Sequence, residues 1–216
     1  MTDDMVGPIV AAYMAASPAQ RAAGRDWYPA ASAIVDSLAA WADIDRPSMA
    51  AIVAALSPRN PWAWNVQDAA AVAYAATHGL PCPTVTTFGA NRSRAWAIAT
   101  GASDWSGSAL KVRSFVANIL GDPDAVTVDV WAIRVATAGR RSAVRGAADY
   151  QRVAEAYRDA AEFVGETPRD VQAIVWIAAQ AAGLGSARRG RHDKVLKRGT
   201  LALIAELLTG QLCLAL

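Results

Sequence analysis

The spacing of apolar residues follows the 3.6-residue period of an α-helix along nearly the whole chain. Over 29–42, for example, Ile34, Leu38 and Trp41 fall on one helical face. The one strand-like run, Val126–Val128, is too short to found a sheet. The pattern therefore predicts an all-α protein. The expected helices span residues 5–16, 29–42, 45–56, 62–78, 91–100, 109–120, 129–138, 148–164, 168–182 and 200–209.

Composition narrows the class of protein. The chain is 54% hydrophobic and rich in alanine, and its formal net charge is only +2, so a nucleic-acid surface has to come from local clusters of basic residues. Cys82 and Cys213 are too few for a four-thiolate site and are expected to be free thiols in a reducing cytoplasm. The N-terminus does not read as a signal peptide, and no run of about 18 apolar residues predicts a membrane span. We expect one cytoplasmic domain over 1–216, with no membrane partner.

The segment 111–134 combines a lysine and an aspartate in a pattern that suits catalysis. Lys111 lies on an expected helix, and Asp129 directly precedes the next one. An aspartate in that position is a standard N-cap, and hydrogen bonding to backbone N–H groups keeps such a carboxylate rigid and ionised. A solvated helix lysine is the simplest reading of Lys111, whereas a lysine in a desolvated cleft attacks as a neutral amine. Lys111 and Asp129 are therefore the candidate catalytic residues.

A second segment, SPRNPWAWN at 57–65, interrupts the helical pattern with two prolines. Its aromatic, amide and guanidinium groups suit stacking on DNA and on a flipped base. The alternative is a proline-broken loop whose tryptophans pack on the core. The candidates to probe DNA or the base are Arg59, Asn60, Trp62 and Asn65.

The C-terminal part of the chain carries a basic, glycine-flanked segment at 183–199, ahead of the helix expected at 200–209. Such a stretch suits phosphate contacts, which add affinity and salt dependence without sequence specificity; the alternative is a solvated linker. The candidate phosphate ligands here are Arg188, Arg189, Arg191 and Lys194. His78 and His192 are too isolated for a metal site, and none is expected.

The spacing from Lys111 to Asp129, with the aspartate inside V-D-x-x-x-x-R, resembles the helix-hairpin-helix DNA glycosylase superfamily, of which endonuclease III is the best-known type. ALSPR at 55–59 is similar to the L-L-S-x-Q segment of that family, and FGANRSRA at 88–95 is similar to its G-x-x-x-x-K-A segment. The resemblance covers about 45–180. It implies a two-lobed helical fold in which Lys111 attacks the sugar C1′ of a flipped nucleotide and Asp129 assists.

The hairpin departs from that family's L-P-G-V-G-x-K, because WSGSALK at 105–111 keeps the first glycine and replaces the second by alanine. The resemblance implies a degenerate helix-hairpin-helix in which Ser106, Gly107 and Ser108 contact phosphate. The cluster-binding cysteines of endonuclease III are absent, so no iron–sulfur cofactor is expected; a monovalent cation at the hairpin is compatible with the resemblance.

Other segments, A-L-S-P-R-x-x-W-x-x-N, V-D-V-W and Q-A-I-V-W-I, also resemble a phage and actinobacterial group near the alpha-glutamyl/putrescinyl thymine pyrophosphorylases. Those proteins modify thymine bases in DNA rather than excise them, and Gln172 and Trp176 would belong to their signature. Three functions therefore stay open: excision of a modified or damaged base, hypermodification of a 5-substituted pyrimidine, and DNA binding without catalysis.

Overall fold

The computed structural model describes residues 4–183, and within that range the chain contains nine α-helices and no β-strand. The prediction of an all-α protein is confirmed. The helices are α1 (Val6–Ala15), α2 (Pro18–Ala42), α3 (Arg46–Leu56), α4 (Trp62–Thr77), α5 (Gly89–Ala99), α6 (Leu110–Leu120), α7 (Val130–Ala136), α8 (Ala147–Val164) and α9 (Pro168–Ala181).

The described residues fall into two compact units. Unit 1 is formed by residues 4–31 and 108–183, and unit 2 by residues 32–107. In unit 1, α1, α7, α8 and α9 pack around a core that includes Ile9, Tyr157 and Ile174, each fully buried. Both candidate catalytic residues, Lys111 and Asp129, belong to unit 1, so unit 1 holds the site described below.

Unit 2 is built around α3, which is buried on every side from Met49 to Leu56. A helix that is apolar all round is stable only at the centre of a fold, and α4 and α5 pack against it. The start of α3 follows the predicted pattern. Asp45 is its N-cap and accepts a hydrogen bond from the Ser48 backbone N–H at 2.9 Å, with Pro47 in the first turn.

Helix α2 begins 11 residues before the start expected from the apolar pattern, at Pro18 instead of residue 29. Ser17 and Gln20 form a capping box: Ser17 Oγ accepts from the Gln20 N–H (3.2 Å), and Gln20 Oε1 accepts from the Ser17 N–H (2.8 Å). The helix then continues through Pro29, whose ring is exposed to solvent. The expected start at residue 29 was wrong, because the capping box at Ser17 and Gln20 begins the helix earlier and the helix tolerates Pro29 in its interior.

Gly24 marks a very close approach of α2 to α9 within unit 1. A Cβ atom built on Gly24 would lie 2.6 Å from Ile174 Cα and 2.7 Å from Ile174 N. These neighbours are backbone atoms of a packed helix, so they cannot turn aside as a flexible side chain would. Glycine is therefore the residue that lets the two helices meet at this point.

We expect Gly24→Ala to lower the free energy of unfolding by about 1–3 kcal/mol, the usual cost of overpacking a filled interior. Urea denaturation of the full chain measures the effect. Gly89→Ala is the matched control: it also lies in a helix, nothing stands within 4 Å of its added Cβ, and it should be neutral or slightly stabilising. Equal stability of Gly24→Ala and wild type would contradict the close helix contact.

Candidate active site

Asp129 is held as the N-cap of α7, as the sequence predicts. Its Oδ1 accepts hydrogen bonds from the backbone N–H groups of Trp131 (2.9 Å) and Ala132 (2.8 Å). Both bonds end on the same oxygen, so the cap does not use Oδ2. The cap thus fixes the carboxylate through one of its oxygens.

The extended segment 126–128 leads directly to Asp129. One tyrosine side chain makes the backbone hydrogen bonds to this segment that a neighbouring strand would make in a sheet. Tyr150 of α8 donates its hydroxyl proton to the Val126 carbonyl (3.0 Å) and accepts from the Val128 N–H (3.1 Å). Because this side chain satisfies both backbone groups, the segment stays extended in a wholly helical unit.

A buried polar network holds the other side of the same segment through Thr127. The Asn118 amide, oriented so that its nitrogen donates to the Ala125 carbonyl (2.8 Å), accepts from Thr127 Oγ1 (2.9 Å). Tyr28 of α2 lies 3.3 Å from the same Thr127 oxygen and donates to Gln172 Oε1 of α9 at 2.8 Å. Three helices therefore fix the residue two positions before Asp129.

Lys111 is the second residue of α6 and is half-buried. Burial lowers the pKa of its ammonium group, and the charge of Asp129 opposes that shift. A lysine in the first turn also faces the positive end of the helix dipole, which further disfavours its charged form. The amine of Lys111 is thus held in a place that favours its neutral, nucleophilic form.

The carboxyl of Asp129 has the complementary shift. Burial raises its pKa, while the Ala132 N–H, the Lys111 charge and the Trp131 N–H lower it. Each of the two residues therefore acts electrostatically on the other in a desolvated part of unit 1. The two residues that the sequence nominated are therefore electrostatically coupled.

Three tyrosines that sequence reasoning missed are within electrostatic range of this carboxylate. Burial raises the pKa of Tyr28, Tyr150 and Tyr157, and the negative charge of Asp129 raises each further. They therefore stay protonated; Tyr157, for instance, donates to the Ala132 carbonyl at 3.2 Å. A tyrosine at apolar spacing on an amphipathic helix looks like an ordinary core residue, so the sequence contained no signal for this role.

We expect Lys111→Met to raise the thermal unfolding temperature at neutral pH, because it keeps the apolar stem and removes a desolvated charge. The folded-state pKa of Lys111 lies below its unfolded value, so its charged form costs stability at low pH and the cost disappears as pH rises. The advantage of Lys111→Met should therefore be largest below the folded pKa and fade toward pH 10.5. A variant less stable than wild type at neutral pH would contradict this reading.

In unit 2, Arg59 is exposed and adopts a left-handed backbone conformation, with φ of 57°. Its guanidinium lies 5.8 Å from the ring centroid of Phe88, which is 54% exposed. A strained non-glycine residue beside an exposed aromatic ring is typical of a binding loop. The assignment of Arg59 to DNA probing stays a prediction, and Phe88 was not anticipated.

The amide of Asn60 is engaged within unit 2. It donates to Asp68 Oδ2 (2.9 Å) and accepts from Thr86 Oγ1 (3.0 Å), while Asp68 also accepts from the Thr86 backbone N–H (3.0 Å). These bonds tie the 57–61 loop to the segment before α5. Asn60 can therefore read a base only if this clamp opens.

The other two residues proposed to probe DNA also lie against the protein. Asn65 is 1% exposed, and its amide nitrogen donates to the Val53 carbonyl at 3.1 Å. Trp62 begins α4 and is half-buried. Both positions suit packing of the segment on the core, which was the alternative reading, and contact with DNA stays a prediction for both.

The turn before α6 is organised by an acidic side chain. The Asp104 carboxylate accepts from the Ser106 N–H (3.1 Å) and the Ser106 hydroxyl (2.8 Å). These bonds, with one from the Gly107 N–H, lower the pKa of Asp104. In this conformation a carboxylate occupies donors proposed for phosphate, so phosphate has to displace it. Ser108 follows, half-buried.

The remaining candidate phosphate ligands, Arg188, Arg189, Arg191 and Lys194, lie outside the described residues, as do the basic segment beyond residue 183 and the expected helix 200–209. Within residues 4–183, no three His, Cys, Asp or Glu side chains group as metal ligands would. Over the same range, no helix has the length and hydropathy needed to cross a membrane.

Comparison with known proteins identifies a single family. The model of a family described as of unknown function, DUF7178, matches residues 1–183. No curated protein and no solved structure matches the chain. The match covers both described units, so both belong to the family's common architecture.

Proposed function

We propose that this chain, which belongs to the DUF7178 family, is an enzyme that acts on a base in DNA at the sugar carrying that base. Lys111 is the nucleophile, and Asp129 is the carboxylate that stabilises positive charge at C1′. The observation that supports the proposal is that both residues are desolvated in unit 1 and that the charge of each shifts the pKa of the other. This is the arrangement that amine attack on a sugar requires.

The reaction follows from the two side chains. As the glycosidic bond breaks, the base leaves with the bonding electrons and takes up a proton, and C1′ becomes electron-poor. The Asp129 carboxylate offsets that charge, and the lone pair of Lys111 Nζ forms a bond to C1′. Loss of a proton from nitrogen and opening of the sugar ring then produce a Schiff base, which water hydrolyses or which precedes cleavage of the strand.

The amino-acid usage of the chain supports a special role for Lys111. Of the 21 lysines and arginines, 18 are arginines, and the three lysines are Lys111, Lys194 and Lys197. Surface charge in this protein is therefore supplied by arginine almost throughout. Arginine stays protonated in proteins and cannot serve as an amine nucleophile, so a half-buried lysine is the residue type that the chemistry needs.

The test is borohydride trapping of the wild-type protein on duplex DNA that carries an abasic site. A covalent protein–DNA adduct is expected, because reduction converts a Schiff base into a stable amine. Absence of any adduct at several DNA lengths and at pH values up to the ordinary pKa of lysine would refute the lysine mechanism.

Mass spectrometry of nucleosides, after incubation with phage and bacterial DNA, separates the remaining functions. Release of a free base with an abasic site left behind supports excision, which we propose. A heavier intact nucleoside would identify base hypermodification by the same fold, and unchanged DNA despite tight binding would leave a non-catalytic DNA-binding protein.

A further inference from the structure

Unit 1 contains an aromatic cluster that the catalytic scheme does not use. The Trp27 ring stacks on Phe115, with centroids 6.0 Å apart and an interplanar angle of 29°. Trp176 meets Trp27 edge to face, with centroids 5.7 Å apart. Three helices, α2, α6 and α9, thus contribute one ring each.

The helix registers place this cluster beside the candidate catalytic residues. Phe115 lies four residues after Lys111 on α6, so the two side chains share a face of the helix. On α9, Trp176 lies four residues after Gln172, which binds Tyr28, the neighbour of Trp27. The cluster therefore adjoins both Lys111 and the network that positions Asp129.

The exposure of the rings differs within the cluster. Phe115 is 7% exposed and Tyr28 is 3% exposed, as expected for core residues, whereas both tryptophans are only half-buried. The two helices that carry the indoles, α2 and α9, also approach each other closely at Gly24. Rigid, partly open indole surfaces are the groups on which nucleobases stack.

We propose that Trp27 and Trp176 form the wall on which the extruded base stacks, so the ligand bound there is a flat heteroaromatic ring. This inference rests on the proposed function, since it assumes that the sugar lies at Lys111. The wall binds the ring through its π-face, and it supplies affinity for the base without acting on the glycosidic bond.

The experiment separates the base from the sugar. Abasic DNA has no ring to stack, so borohydride trapping of wild type on abasic duplex reports the sugar chemistry separately from binding of the base. Binding of free uracil, thymine, cytosine, adenine and guanine to the full chain, in the presence of abasic duplex, is measured by equilibrium dialysis. At least one base should bind wild type, and both alanine variants should bind it roughly tenfold or more weakly.

Two further variants make the result decisive. Trp27→Phe should restore much of the lost affinity, because phenylalanine retains a stacking face. Trp41→Phe, which changes a tryptophan stacked on Tyr74 in unit 2, should behave as wild type. Unchanged base affinity in both alanine variants, or no binding of any free base to wild type, would refute the proposal that Trp27 and Trp176 bind the base. Absence of trapping in wild type would instead refute the lysine chemistry.

Discussion

Lys111→Gln is expected to abolish the borohydride-trapped adduct with abasic DNA, a loss of roughly 10³-fold or more. Glutamine retains a polar side chain, one atom shorter than that of lysine, but has no amine lone pair that can form a Schiff base. The side chain is half-buried at the start of α6, where an uncharged group is accommodated at least as well as an ammonium. Loss of the adduct should therefore occur in a folded protein, which circular dichroism checks.

The small number of lysines makes this experiment unusually specific. Besides the N-terminal amine, an adduct can form at only three residues, so the double variant Lys194→Gln/Lys197→Gln is the natural control. It should still form the adduct at saturating protein, because Lys194 is a candidate for phosphate contact and not for attack on C1′. Arg113→Gln, two residues away on the same helix and exposed, controls for loss of positive charge near the site. Persistent trapping in Lys111→Gln, or loss of trapping in the control variants alone, would show that the nucleophile is a residue other than Lys111.

Asp129→Asn is expected to slow base release by about 10²–10³-fold, the usual effect of removing one electrostatic group that stabilises a transition state. Asparagine caps a helix as well as aspartate does, so the N–H groups of Trp131 and Ala132 keep their acceptor. The variant thus isolates the negative charge from the cap. Single-turnover release of the base, with the substrate found by mass spectrometry, measures the loss.

The pH dependence carries a second signature of Asp129. The reactive form is the carboxylate, and burial raises the pKa of Asp129. As the pH is lowered, wild-type activity should therefore start to fall at a higher pH than the ordinary pKa of an aspartate would give. The pKa of Asp129 is higher in the folded protein than in the unfolded chain, so protonation of Asp129 stabilises the fold below its unfolded-state pKa. This contribution to the free energy of unfolding is lost as the pH rises through the folded-state pKa. Asp129→Asn should therefore be at least as stable as wild type at neutral pH.

Asp129→Ala provides the contrast, because it removes both charge and cap. It should lose activity as Asp129→Asn does, and in addition about 0.5–2 kcal/mol of the free energy of unfolding. Base release at the wild-type rate in Asp129→Asn would show that the carboxylate acts only as a cap.

Much of the secondary structure was predictable because it depends on local interactions. The caps at Asp45 and Asp129, and the helix ends at Gly101 and Gly121, follow from side chains and glycines within a few residues of each terminus. The early part of α2 was missed although its signal, the capping box formed by Ser17 and Gln20, is also local.

The candidate site was predictable only in part. The position of Asp129 directly before an apolar helical segment predicts an N-cap. The desolvation of Lys111 depends on the residues that pack over it, and the spacing of residues in the sequence does not reveal them. Tyr28 meets Gln172 across 144 residues of sequence, and this contact creates the polar network behind Asp129. Asn60 and Asn65 were proposed from the sequence to probe DNA, but packing engages both of their amides in hydrogen bonds within unit 2.

The sequence by itself determined the helical class, most helix limits and the two residue types from which the chemistry is proposed, because periodicity, caps and residue identity are local properties. The tertiary structure alone decided the rest. It desolvated Lys111 and Asp129 and coupled their charges, put three tyrosines within range of the same carboxylate, and packed Trp27 against Trp176. Burial and electrostatic coupling arise from residues distant along the chain, so they exist only once the helices have packed.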